Sequence, residues 1–238
     1  HISNVLYSWR PFLSDFWGAI NPPAKHTAPK GGIWLKQVLP ALRWLRCFMN
    51  GHSGALSRTW FFDDVLYQGI QYRIILDASP WGLGGILMMG ENIISWFSSP
   101  LTVEDEKQFG IKAGIADGQQ IWETLCVVVA LRLWLPQWRS KRVRVAIKSD
   151  NMTALTAAAK LKCATSPLLG RELSMLYTSA SFEPTIVEHL PGAMNSMADT
   201  LSRLSEPGCR KTVPPALAGV PRAAVPTRIP SYYLTLAA

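Results

Sequence analysis

At 238 residues the chain is long enough for one good domain with extensions, or for two small domains. A hydrophobic content of 48% with 17% charged residues excludes a disordered protein, and no run of about 18 apolar residues is present to form a membrane-spanning helix. The net charge of +8 is unevenly placed: residues 130–172 hold nine Lys/Arg against Asp150 and Glu172, while residues 71–129 hold three against seven acids. A basic half beside an acidic half suits a protein that grips a polyanion next to a metal site, although a solvated charged surface would carry the same charges.

The start, His1 to Arg10, has no initiator Met and no charged-then-apolar-then-small pattern, and reads as a fragment boundary rather than a signal peptide. Cys47, Cys126, Cys163 and Cys209 are scattered without a CxxC pair, so a thiolate zinc site is not expected. They read as reduced thiols of an intracellular protein, with Cys126 in the core.

Residues 1–32 mix aromatics with Pro22, Pro23, Pro29, Gly31 and Gly32, and read as an irregular lead-in without a core of its own. The spacing of Trp34, Val38, Leu42, Leu45 and Met49 predicts a helix over 33–49 with those residues on its apolar face. Pro40 should kink or split it. Asn50-Gly51-His52-Ser53-Gly54 ends that helix, and an aromatic passage over 58–67 follows. Trp34, Trp44 and Trp60 are expected in core packing rather than base stacking.

Strand-like runs over 72–77 and 83–89 flank a turn at Ser79-Pro80-Trp81-Gly82, and a third strand runs from Ile93 to Phe97. Residues 98–116 form a polar loop or hold a short helix. The apolar residues Trp122, Leu125, Cys126, Val129, Leu133 and Trp134 predict a helix over 119–135, stopped by Pro136, with Glu123 its only acid. A fourth strand, Val143 to Lys148, ends in Ser149-Asp150-Asn151. An Ala-rich helix over 151–160 follows, then a helix from Ser166-Pro167 burying Leu168, Leu169, Leu173, Leu176 and Tyr177. A fifth strand spans 184–188, and Asn195 is placed to cap a last helix with Met197, Leu201 and Leu204 on one face. From Glu206 onward, prolines punctuate a basic tail that reads as a flexible or extended linker.

Three antiparallel strands followed by two helix-linked strands predict an α/β fold, a mixed five-stranded sheet flanked by helices. If the first and fourth strands are parallel neighbours, Asp77 and Asp150 leave the sheet side by side at its carboxyl edge. Glu123 on the core helix and Asp199 in the last helix complete four carboxylates. Their convergence would be repulsive unless divalent cations neutralised it, and a pair of Mg²⁺ ions could then serve phosphodiester cleavage.

At these residues the chain resembles the ribonuclease H domain of retroelement (LTR-type or related) reverse transcriptases. Leu76-Asp77-Ala78-Ser79 is similar to the family's T-D-A-S block, with Leu in place of Thr. Trp122-Glu123-Thr124-Leu125 matches the position of its helix glutamate, and Ser149-Asp150-Asn151 its S-D-N block. The run from His189 to Arg203, HLPGAMNSMADTLSR, resembles H-x-P-G-x-x-N-x-x-A-D-x-L-S-R most closely.

Over residues 72–204 the resemblance implies an RNase H-like fold and cleavage of the RNA strand of an RNA–DNA hybrid. Asp77, Glu123, Asp150 and Asp199 would be metal-binding catalytic carboxylates, with two Mg²⁺ (or Mn²⁺) ions. His189 would shuttle protons or help product leave. Ser79, Asn151 and Asn195 would lie near the substrate backbone, and Gly82, Gly84 and Gly85 would let the hybrid approach the sheet. The resemblance makes residues 1–70 a remnant of a polymerase thumb or connection, 71–205 the RNase H-like domain and 206–238 a Pro-rich tail or linker. The partner polymerase domain is expected outside this fragment, and no membrane partner is expected. Only two helices fit between Asp150 and the fifth strand, so the extra basic-handle helix of cellular members is missing.

Each residue also has a plain structural reading. Asp150 could cap the next helix, Asp199 could pair with Arg203 at i,i+4, and His189 could be an ordinary loop histidine. A non-catalytic nucleic-acid-binding module, decayed or repurposed, is the alternative function. An integrase or transposase of the same core fold ranks below both, because such sites place a late glutamate where this chain has Asp199.

Overall fold

The computed structural model describes residues 9–21, 28–29, 31–52, 70–138, 143–161, 163, 165–180 and 186–233. The aromatic passage over 58–67 with Trp60, and the basic residues Arg139, Lys141, Arg142 and Lys162, lie outside them.

Five strands form one sheet: β1 (Ile70–Ala78), β2 (Gly82–Met89), β3 (Asn92–Pro100), β4 (Val143–Ser149) and β5 (Ile186–His189), in the order β3-β2-β1-β4-β5. The first three pair antiparallel, β1 pairs with β4 in parallel, and β4 with β5 in parallel. This is the mixed sheet that the element order predicts. The β1–β4 register sets Ile75 against Lys148, so Asp77 and Asp150, each two residues further on, leave the sheet at the same level.

Alternation along β1 sends Tyr72, Ile74, Leu76 and Ala78 to the main core. That core is organised around a helix over Gln119–Trp134. Among the described residues this helix and six others are numbered in chain order: α1 (Arg10–Ile20), α2 (Leu35–Met49), α3 (Val103–Phe109), α4 (Gln119–Trp134), α5 (Met152–Lys160), α6 (Pro167–Ala180) and finally α7 (Ser196–Arg203). Every residue of α4 from Trp122 to Leu131 is buried, so the helix is covered all round rather than along one stripe. The predicted loop at 98–116 does hold a helix, α3, started by a reciprocal capping box between Thr102 and Asp105. Asn151 caps α5 by accepting from Thr153 N at 2.9 Å and Ala154 N at 3.0 Å. On α6 the five predicted residues, Leu168, Leu169, Leu173, Leu176 and Tyr177, are all buried.

On the other sheet face, α7 packs with Ile86, Trp96 and Leu217 through Leu201, while Met197 and Leu204 flank it. Its close seating explains the glycines of β2. A Cβ on Gly84 would lie 2.6 Å from both Ala198 O and Ser202 N, and one on Gly82 would lie 2.7 Å from Ser202 O. On the opposite face, Phe97 covers Gly85. These glycines therefore admit a helix and an aromatic ring, not a nucleic-acid duplex, which corrects the expectation that they form a floor for the hybrid.

Near the N-terminus, three expectations change. Residues Arg10–Ile20 are helical, with Pro11 in the first turn where its missing N–H costs nothing. Pro40 does not split α2, which runs unbroken from Leu35 to Met49. The buried face of α2 is Val38, Ala41, Trp44 and Phe48, whereas Trp34, Leu42 and Met49 are exposed. Phe12 of α1 decides this by stacking on Trp44 at 3.8 Å between ring centroids. The pair makes a small core of its own, and it is tied to α6 by Arg171–Asp15 at 2.8 Å and by Trp44 Nε1 donating to Met175 Sδ.

The tail is extended, but it is packed along the domain rather than hanging as a flexible linker. Trp96 N donates to Pro221 O and Ala223 N to Trp96 O, which shields part of the edge strand β3. Leu217 and Tyr233 are buried. Arg228, 1% exposed, forms a paired set of bonds to Asp105 at 2.8 and 2.7 Å. Composition alone predicts an unattached segment, because its anchors are single residues separated by prolines.

Candidate metal centre

Asp77 occupies the penultimate position of β1, where the strand's alternation turns it toward α7. Ser202 Oγ of that helix donates to Asp77 Oδ2 at 2.6 Å. One full turn into α4, Glu123 approaches from the other layer, and Asp150 follows the last residue of β4. Carboxylate oxygens of Asp77, Glu123 and Asp150 all lie within 4.8 Å of one another. Residues far apart in sequence are brought together because β1 and β4 are parallel neighbours and α4 packs against β1 and β2.

Burial dominates the electrostatics. It pushes the Asp77 carboxyl up from 3.8 to about 7; the bond from Ser202 opposes the rise, and the charges of Asp150 and Asp199 reinforce it. Glu123 is driven well above the ordinary carboxylate range, first by burial and then by Asp77. Its Oε1 accepts from Gln119 Nε2 at 2.8 Å, while its buried Oε2 has no hydrogen-bond partner. Gln119 Nε2 also donates to Ala78 O at 2.5 Å, so one amide ties the glutamate to the end of β1. Beneath them, Cys126 Sγ donates to Asp77 O and Gly84 O. Burial pushes that thiol well up, which keeps it protonated and unreactive.

An orphaned buried oxygen among three all-oxygen donors fits a divalent cation. Hard carboxylate ligands without His or Cys suit Mg²⁺ or Mn²⁺ rather than Zn²⁺. Asp77, Glu123 and Asp150 would hold it.

The structure leaves Asp199 outside this group. Arg203 Nε contacts its Oδ1 at 2.6 Å and Lys211 Nζ its Oδ2 at 2.5 Å. Burial alone would raise that carboxyl, but the bonds from Lys211 and Arg203 outweigh it and hold the group below its ordinary range. The i,i+4 pairing read from the sequence is therefore present.

His189 is exposed at the end of β5, in register with Ser149. Ser79 is fully buried; its Oγ donates to Ser202 O at 2.8 Å and accepts from Gly82 N at 3.1 Å. That places it inside the β1–β2 turn. Asn195 is 1% exposed and holds the N-cap position of α7 without a side-chain bond to the helix; its Nδ2 donates to Leu76 O at 2.9 Å. It pins the loop before α7 to β1 instead. Asn151 has its Oδ1 engaged as the cap of α5.

Neither a protein-family model nor a curated protein matches this chain. The reading of the centre thus rests on its own residues. Among the described residues no helix is long and apolar enough to cross a membrane.

Sequence reasoning missed Gln119, Ser202 and Lys211. Gln119 was discoverable, being four residues before Glu123 on one helix face. Ser202 sits inside the HLPGAMNSMADTLSR run without a role suggested by spacing. Lys211 left no signal, because its partner is chosen by the path of the tail.

Proposed function

We propose that this chain is the ribonuclease H-like part of a retroelement reverse transcriptase, a metal-dependent endonuclease that cuts the RNA strand of an RNA–DNA hybrid. The observation that carries this reading is the approach of Asp77, Glu123 and Asp150 within 4.8 Å at the carboxyl edge of the sheet. Their order and motifs match the resemblance, which implies Mg²⁺ or Mn²⁺, two ions in all, and a polymerase domain as partner.

A bound divalent cation would supply Lewis-acid activation of water and neutralise charge on the scissile phosphate. The protein's own part is positional. Ser202 and Gln119 orient Asp77 and Glu123 before any ligand arrives, which avoids reorganisation during the reaction. Gly192 keeps the approach to Asp150 open, since a Cβ there would stand 3.3 Å from Asp150 Oδ2. His189, exposed next to the Asp150 loop, would carry a proton on its imidazole toward the leaving oxygen.

The non-catalytic alternative gains support from Asp199, whose oxygens are both engaged by cations. Cleavage of a labelled hybrid with Mg²⁺, wild type against Asp150→Asn, separates the two. Loss of metal-dependent cleavage in the variant is expected. Hybrid binding without cleavage by the wild type would select the alternative, and equal cleavage by both proteins would reject the site.

A further inference from the structure

Asp199 is neutralised from two directions. Arg203 comes from the next turn of α7, but Lys211 comes from the tail. Reaching back requires a folded path: Glu206 N donates to Arg203 O, Cys209 N to Glu206 O, and Gly208 adopts φ 75° between them. Lys211 N then donates to Cys209 Sγ at 3.3 Å. Beyond it, buried Leu217 and the Arg222 guanidinium, 2.9 Å from Ser98 O, hold the strap against β3. Lys211 is therefore delivered by anchored chain on both sides rather than waving from the surface.

The helix turn that Lys211 reaches is the one that borders the carboxylate centre. Ser202 Oγ donates to Asp77 Oδ2 at 2.6 Å and lies 2.9 Å from the main-chain carbonyl of Asp199, so the turn of α7 that carries Asp199 abuts Asp77, and the Asp199 charge reaches it. Around that contact, Asp77, Glu123, Asp150 and Asp199 face Arg203 and Lys211. Arg203 also stands 3.8 Å from Glu206, so Arg203 and Lys211 together offset Asp199 and Glu206, and the carboxylates left for a cation to neutralise once ionised are Asp77, Glu123 and Asp150. A second ion at Asp199 would have to evict a cation that already holds one of its oxygens.

We infer that this centre takes one divalent cation, on Asp77, Glu123 and Asp150, and that Lys211 occupies the place at Asp199 where a second ion would otherwise bind. This rests on the metal-centre reading above and departs from the pair of ions implied by the resemblance. Arg203 holds Asp199 Oδ1, so removal of Lys211 frees Oδ2 alone.

The test is calorimetric titration of the full chain with Mn²⁺, paired with Mn²⁺ electron paramagnetic resonance, and needs no turnover. Wild type is expected to bind one ion, with the spectrum of an isolated Mn²⁺. Lys211→Ala and the length-preserving Lys211→Gln are expected to bind two, with spin coupling between them, while Lys211→Arg stays at one. Melting curves matching wild type confirm that the variants are folded; the 42% exposure of the Lys211 side chain makes them tolerable. Two ions in the wild type, or one ion in both Lys211→Ala and Lys211→Gln, would overturn the inference. Absence of Mn²⁺ binding in every protein would reject the metal centre itself, and the inference with it.

Discussion

Ser202 Oγ donates to Asp77 Oδ2 at 2.6 Å, and both groups are buried. This bond fastens the last helix to the acid-bearing end of the first strand, so the candidate centre and the seating of α7 are one unit. Ser202→Ala removes a donor to a buried carboxylate and should cost about 1.5–3 kcal/mol. Urea unfolding measures the loss. Divalent-ion affinity should fall with it, because Asp77 loses the donor that favours its ionised form. An unchanged midpoint together with unchanged ion affinity would contradict the role given to Ser202.

The raised acid at Asp77 makes stability depend on pH with a definite sign. Its folded value, about 7, exceeds the ordinary 3.8 of an unfolded chain. Between those values the folded protein binds more protons than the unfolded one, so stability falls as pH rises from about 4 to about 7. Asp77 alone contributes on the order of 4 kcal/mol over that window. Glu123, raised by burial and by Asp77, and Asp15, raised by burial against partial relief from Arg171, act in the same direction. Melting in EDTA should show a midpoint that drops toward neutral pH, and Mg²⁺ should restore it more as pH rises through 7, where binding displaces fewer protons from Asp77. A midpoint in EDTA that climbs through this range would refute the assignment.

At Gly84 the constraint is space. Its missing side chain lets α7 lie against β2, and a methyl group would stand 2.6 Å from two backbone atoms that have no side-chain freedom to yield. Gly84→Ala should cost at least about 1–3 kcal/mol through overpacking and displace Ser202 from Asp77. Chemical denaturation and ion titration should therefore worsen together. Had the glycine served nucleic-acid approach instead, hybrid affinity would drop while stability held.

The tail depends on Arg228. Its guanidinium serves Asp105, Ser99 Oγ and Pro100 O, and both charges of the ion pair are almost wholly buried. Arg228→Met strands the Asp105 carboxylate and should destabilise by about 3–5 kcal/mol. Limited proteolysis should then cut within residues 207–233 faster than in wild type. Equal cleavage rates would show that the strap is held elsewhere.

Much of the sheet was legible because alternation and helical periodicity are local properties of sequence. The strand pattern, α4, α6 and the sequence order of Asp77, Glu123 and Asp150 follow from residues a few positions apart. Their convergence then needed only one non-local fact, the parallel pairing of β1 with β4. The face of α2 was misread because two stripes were apolar, and only contact with Phe12 selects between them.

From sequence alone come the fold class, the acids and the Asp199–Arg203 pair, since each rests on spacing along one element. Tertiary structure alone decided that the glycines of β2 seat α7, that Ser79 and Asn195 are internal, and that the tail is a strap carrying Lys211 to Asp199. Those outcomes depend on which surfaces meet across long stretches of chain. Packing and charge pairing between distant residues leave no period to read.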